Sequence, residues 1–291
     1  MRIAIVGLGG VGGYLAAYLD KTENDVVGFA RGSHLNAIQK HGIKIKEDTN
    51  TFIQNVDAKE LDNADGYFDI VLFCVKSYDL MTSYEAISSC IDSRTIILSF
   101  SNGVNNANIL KDISSSIVVE SCIYILSHIE QNGVIRKNGD IFAAILGGNE
   151  SSCNILKSVF ESANLRVRIP SDIRKALYKK YIFISAFACL TAYYDESIVQ
   201  VCESHILEVK MVLQEIADVA FAQGIDIMDE VQKSIEIAKS LPYDSSTSMH
   251  LDYKQGKKME LESLCGYVVK EGDRHLVDTH YMKKIYSALV R

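Results

Sequence analysis

The amino-acid sequence predicts an α/β domain with an open parallel sheet, followed by an all-helical domain. Three observations carry that reading: a glycine-rich turn directly after an N-terminal apolar strand, a succession of short β-branched strands spaced by helical segments, and a change to helical periodicity beyond Pro170. The domain boundary is expected at 168–170, giving an α/β domain over 1–168 and a helical domain over 169–291.

The first strand is Arg2 to Val6, a run short and β-branched enough to be buried. Gly7-Leu8-Gly9-Gly10-Val11-Gly12 follows and fits the G-x-G-x-x-G pattern of a Rossmann-type dinucleotide-binding turn. Each glycine has a physical task. Gly7 allows the tight turn off the strand, Gly9 lets backbone approach a pyrophosphate, and Gly12 lets the next helix pack closely on the sheet. A helix from Val11 to about Leu19 then directs its N-terminus, with its free N–H groups, at the phosphates. Residues Gly7, Leu8, Gly9, Gly10, Val11 and Gly12 are therefore candidate cofactor ligands.

Composition narrows the class. A chain of 291 residues, 48% hydrophobic, can build two ordinary cores. No apolar stretch approaches a membrane span or a signal-peptide core, so a soluble cytoplasmic protein without a membrane partner is expected. The seven cysteines form no C-x-x-C pair, and the seven histidines show no ligand spacing, so reduced thiols and no metal are expected. A formal charge of −7 argues against nucleic acid as a partner. An anionic ligand must then be held by local cations.

A second strand spans Asp25 to Ala30. An NAD site would carry Asp or Glu at its end to accept from the ribose 2′-hydroxyl, whereas this chain has Ala30-Arg31-Gly32-Ser33. Arg31 suits a 2′-phosphate, because a guanidinium grips phosphate with two parallel hydrogen bonds. The expected cofactor is NADPH/NADP+. Gly42 to Val56 reads as a β-hairpin around Asp48-Thr49-Asn50. Strands at Phe68 to Val75 and Thr95 to Phe100 end in Lys76 and in Ser101-Asn102-Gly103, and ligands of a parallel sheet sit beyond such carboxyl ends. Lys76 and Asn102 are thus candidates for cofactor contact. Ile117–Val119, Ser121–Ile129, Gly133–Ile135 and Ile141–Leu146 read as short strands joined by hairpins at Gln131-Asn132-Gly133 and Lys137-Asn138-Gly139-Asp140, closing the sheet with antiparallel edges. A helix over Ser151–Ala163 and a strand over Leu165–Ile169 complete the domain.

Beyond it the pattern predicts helices over Asp172–Tyr194, Ser197–Gln223, Asp229–Ser240, from about Ser248, Glu260–Lys270 and Thr279–Arg291. Gly224 and Gly272 are placed as C-terminal stops, and Pro242 follows the third helix. No repeat or low-complexity tract interrupts them.

With Gly7 to Gly12, Arg31, Val75-Lys76, Asn102-Gly103 and a lysine-bearing helix after the boundary, the chain resembles the ketopantoate reductases (2-dehydropantoate 2-reductases) along its whole length. The resemblance implies a Rossmann NADP-binding domain joined to a helical domain of the 6-phosphogluconate dehydrogenase C-terminal-like type. It also implies reduction of 2-dehydropantoate by NADPH on the route to pantothenate. Leu177-Tyr178-Lys179-Lys180-Tyr181 looks like the family's Trp-x-Lys segment, with Tyr178 in place of tryptophan and Lys180 at the catalytic position. Ser246-Thr247-Ser248-Met249 and Glu260 look like its Ser-Met pair and downstream glutamate. The residue types suit the chemistry: a carbonyl receiving hydride becomes an alkoxide, which a protonated lysine can stabilise and protonate. Lys180 is the expected acid. Asn102 would bind substrate or cofactor amide, Ser248 the substrate carboxylate, and Glu260 would orient Lys180 or accept from a substrate hydroxyl.

One departure bears on substrate. The family carries asparagines one and two helical turns after the lysine, on its face of the helix, where this chain has Ile184 and Ala188. These two positions are expected to line the substrate site, and a wall without the amides favours a more apolar ligand. The main expectation is a 2-keto acid reductase acting on 2-dehydropantoate. The alternatives are a related reductase of a more apolar 2-keto or imino acid, or a non-catalytic NADPH-sensing protein. A homodimer is left open.

Overall fold

The computed structural model describes residues 1–290. The strands are β1 Arg2–Val6, β2 Asp25–Phe29, β3 Ile43–Lys46, β4 Thr51–Gln54, β5 Asp57–Lys59, β6 Ile70–Phe73, β7 Ile96–Ser99, β8 Ile117–Val118, β9 Glu120–Gln131, β10 Val134–Gly147 and β11 Val167–Arg168. The α-helices are α1 Gly10–Leu19, α2 Gly32–His41, α3 Leu80–Ile87, α4 Asn106–Ile113, α5 Glu150–Ser162, α6 Ile173–Tyr194, α7 Ile198–Ser204, α8 Ile206–Ala222, α9 Asp229–Ser240, α10 Ser248–Lys254, α11 Tyr267–His275 and α12 His280–Leu289. They fall into two compact units. One comprises Met1–Ser101 and Asn105–Ile173; the other comprises Asn102–Val104 and the chain from Arg174 onward.

The first unit is built on a six-stranded sheet ordered β5-β2-β1-β6-β7-β8, with every pairing parallel. Its central strands are apolar on both faces because helices cover both. In β1, Ile3 and Ile5 enter one apolar cluster while Ala4 and Val6 enter another. The same alternation runs through Ile70, Leu72 and Val71, Phe73 of β6, as a strand of period two requires when both faces are buried. The order reverses between β1 and β6, so the carboxyl ends of these strands form a switch point.

The antiparallel edge expected for this sheet is instead a second sheet, ordered β11-β10-β3-β4 with β9 also paired to β10. The turn expected at Lys137–Asp140 does not form. β10 runs through it, and the pairing with β9 shifts register between Lys137 and Phe142. A bulge absorbs the polar residues that read as a turn, because the long partner strand keeps pairing on both sides of it. The β3–β4 hairpin forms as read.

The second unit is helical, packed around α6, whose Tyr181, Ile182, Ala186, Phe187, Cys189 and Leu190 are all buried. The single helix expected over Ser197–Gln223 is two, broken at His205, whose ring stacks on Tyr194 at 3.5 Å between centroids. No glycine or proline announces that break; a tertiary contact makes it. Gly272 lies within α11 rather than after it. A Cβ there would sit 2.5 Å from Thr279 Cγ2, so this glycine serves close approach, and the helix ends at Leu276 with φ of 58°.

Candidate active site and dinucleotide turn

The glycine turn is fixed by backbone contacts. Gly7 has φ of +96°, and a Cβ on it would lie 2.9 Å from Val75 Cγ1 and 3.0 Å from the Cys74 carbonyl. A Cβ at Gly12 would lie 1.9 Å from the Gly7 oxygen, and one at Gly10 would lie 2.5 Å from the Ser127 oxygen. Gly9 differs. Its Cβ would meet nothing within 4 Å. The turn therefore leaves open space at the helix N-terminus, where α1 begins with Gly9 as cap and no acidic residue in the first turn. These features fit a pyrophosphate, an anion met by backbone N–H groups and the positive helix end. Leu8 points its side chain into the core at 1% exposure and Val11 packs against the same core, so both would act through their backbone.

At the end of β2, Ala30 and Arg31 leave the strand with no carboxylate at that position. Arg31 is the cap residue of α2, its side chain is 90% exposed, and its Nη2 lies 3.6 Å from Asp79 Oδ2. Lys76, half-buried, precedes the short 3₁₀ turn Ser77–Asp79 at the carboxyl end of β6. Arg31 and Lys76 thus come from the ends of β2 and β6, the two strands that flank β1.

In the helical unit, Asn102 meets the lysine helix. Lys180 Nζ, half-buried on α6, donates to Asn102 Oδ1 at 3.4 Å. The residues that read as separate loop and helix candidates are brought together across 78 positions of sequence. Tyr178, two residues earlier, is buried, and its hydroxyl lies 2.9 Å from the Tyr267 hydroxyl and 3.1 Å from Gln223 Oε1. Burial pushes both phenols above their ordinary pKa, so they stay protonated and serve to lock the helix. Glu260 is buried at 3% exposure just before the π-helical turn Glu262–Gly266. Ser248 is exposed at the start of α10.

Ile184, one turn beyond Lys180, is half-buried. Ala188 is not placed as expected. It is 1% exposed and belongs to the helical core, so it offers no surface to a small molecule. Residues that sequence patterning missed include His250 and Asp195, which hydrogen-bond at 2.8 Å; Ser246, which also meets His250, lies before the Thr247 cap of α10, so no helical spacing signals the group.

An open parallel sheet with a glycine turn at its switch point, followed by a helical unit, is the architecture of two-domain dinucleotide-binding oxidoreductases. The chain belongs to the ketopantoate reductase family: the family model described as ketopantoate reductase PanE/ApbA matches residues 3–148, and the model of its C-terminal domain matches residues 172–291. The uncharacterized oxidoreductase YkpB of Bacillus subtilis is 25% identical over 300 residues, covering 99% of this chain and 98% of the relative. A PanE/ApbA family ketopantoate reductase from Ralstonia eutropha has a structure similar at TM-score 0.91 and 27% identity, covering 99% of this chain and 96% of that one. A D-mandelate dehydrogenase solved with NADH and anilino(oxo)acetate shares the fold at TM-score 0.89 and 20% identity, over 99% of this chain and 97% of that one. Among the described residues no single helix is long and apolar enough to cross a membrane.

Proposed function

We propose that this protein reduces a 2-keto acid to the 2-hydroxy acid with NADPH, and that the substrate is 2-dehydropantoate. The contact of Lys180 Nζ with Asn102 Oδ1 carries the reading, because it sets a proton donor beside an amide able to hold a polar substrate. A nicotinamide dinucleotide held at the glycine turn would supply the hydride that the carbonyl carbon receives. Lys180 gives its proton to the carbonyl oxygen and stabilises the charge developing there. Asn102 orients the lysine and the group it protonates. Glu260 orients Lys180 or accepts from a substrate hydroxyl, and Ser248 donates to the substrate carboxylate.

Arg31 and Lys76 would take the 2′-phosphate, which makes NADPH the preferred dinucleotide; the absence of an acid at the end of β2 supports this. The domain division that serves this chemistry is a dinucleotide domain over 1–168 and a catalytic domain from 169.

Ile184 favours a second substrate, a branched apolar 2-keto acid, because hydrocarbon stands one turn from the lysine where the family has an amide. Following NADPH consumption with 2-dehydropantoate and with a branched keto acid separates the two. Lys180→Ala should lower kcat by roughly 10²-fold or more with dinucleotide affinity nearly unchanged, since the proton is needed in the transition state. Full turnover in that variant would remove Lys180 from the role of acid.

A further inference from the structure

The segment Ser246-Thr247-Ser248 is tied to the end of the lysine helix by two polar contacts. In the first, His250, 3% exposed, has both ring nitrogens occupied: Nε2 lies 2.8 Å from Asp195 Oδ1 and Nδ1 lies 2.8 Å from Ser246 Oγ. A carboxylate only accepts, so Nε2 carries a proton, and in the neutral ring Nδ1 accepts from the Ser246 hydroxyl. Asp195 directly follows α6 and holds a left-handed conformation with φ of 54°. Lys254, one turn beyond His250 on α10, also reaches Asp195 Oδ1 at 3.6 Å. In the second contact, Thr191 of α6, fully buried, donates to the Phe187 carbonyl at 2.6 Å. Its oxygen is then left to accept from Thr247, whose Oγ1 lies 2.9 Å away and itself receives the His250 N–H at 3.1 Å.

The residues on either side of this anchorage differ in a telling way. Ser246 and Thr247 are spent on internal hydrogen bonds, Met249 and His250 are buried, and Ser248 alone of these five is exposed. Apolar packing of Met249 would locate α10 by itself. It would not fix the rotation of the helix start, which the two polar contacts do.

We propose that His250 is a positioning residue for substrate binding: with Asp195 and Ser246 it registers Ser248 against the helix that carries Lys180. This rests on the reading of Ser248 as the group that meets the keto acid's carboxylate. A misplacement of about 1 Å at such a group is enough for a large kinetic effect, although His250 touches no substrate.

Steady-state kinetics of the full chain with NADPH and 2-dehydropantoate test the inference. His250→Phe keeps the ring volume and removes both hydrogen bonds; it should raise the keto-acid KM about tenfold, with kcat and the NADPH KM changed by less than about twofold. His250→Gln, which retains a donor and an acceptor, should recover part of the loss. Ser246→Ala tests the same link at a half-buried position if His250→Phe does not fold. In a Ser248→Ala background, His250→Phe should raise KM no further, because the group it positions is gone. A purely structural histidine would lower the melting temperature and leave the keto-acid KM unmoved, or would add its effect fully to Ser248→Ala; either result overturns the proposal. If Ser248→Ala is itself silent, the reading of Ser248 fails and the role of His250 falls with it. If Ser248→Ala raises KM while both His250→Phe and Ser246→Ala do not, only the present inference fails.

Discussion

The glycine turn and the lysine helix are held in place by different means. At the turn, backbone meets backbone: Gly12 cannot carry a Cβ because the Gly7 oxygen would be 1.9 Å from it. On α6 side chains do the holding: Lys180 meets Asn102 at 3.4 Å, and the Tyr178 hydroxyl meets that of Tyr267 at 2.9 Å. The first arrangement leaves no room for a Cβ at Gly7, Gly10 or Gly12, and the walls that close on it include the Cys74 and Ser127 backbone far along the chain. The second depends on side-chain contacts between residues far apart in the chain.

Breaking the turn should have the largest effect. Gly12→Ala is expected to abolish dinucleotide binding and to cost about 1–3 kcal/mol in stability, because a methyl group is forced against a carbonyl. Calorimetry of the variant with and without NADPH checks both; wild-type affinity would show that α1 can move away from the turn. Gly9→Ala sharpens the contrast. Its backbone, at φ −69°, suits alanine and its Cβ would enter open space, so folding should be normal while the affinity for NADPH and for NADH falls about tenfold alike. Unchanged affinity would place the pyrophosphate elsewhere.

Arg31→Ala should weaken NADPH binding by about tenfold and leave NADH nearly as before, since a single charge-assisted contact to the 2′-phosphate is lost. Equal losses for the two would sink that assignment. Ile184→Asn should shift kcat/KM severalfold toward 2-dehydropantoate over a branched keto acid. The companion change Ala188→Asn should not help; it buries an amide in the helical core and is expected to cost about 1–3 kcal/mol, which thermal unfolding measures. The smallest effect belongs to Lys179→Ala. Lys179 Nζ pairs with Glu230 Oε1 at 2.9 Å, a partly exposed contact worth under about 1 kcal/mol. Turnover should stay intact. A kinetic defect as large as that of Lys180→Ala would reassign the acid.

Strand and helix positions were legible where burial is two-sided. The apolar runs Ile3–Val6, Ile70–Phe73 and Ile96–Leu98 make up most of β1, β6 and β7, since these parallel strands are buried on both faces. β5, Asp57–Lys59, carries no such run, because an edge strand of three residues needs only one buried side chain. The polar stretch at Lys137–Asp140 read as a turn for a related reason. Its composition is that of a turn, and only continued pairing of β9 with β10 on both sides of the bulge makes it strand.

The candidate site divides along the same line. By itself the sequence determined the glycine turn, the absence of an acid at the end of β2 and the lysine on its helix, because these depend on spacing within one or two adjacent elements. Only the tertiary structure decided that Asn102 reaches Lys180, that Ala188 faces the core, and that His250 and Asp195 anchor the segment bearing Ser248. Helical periodicity gives the face a residue shares with its neighbours in sequence. It does not say which element covers that face, and that choice is made by packing among helices whose contacts span most of the unit.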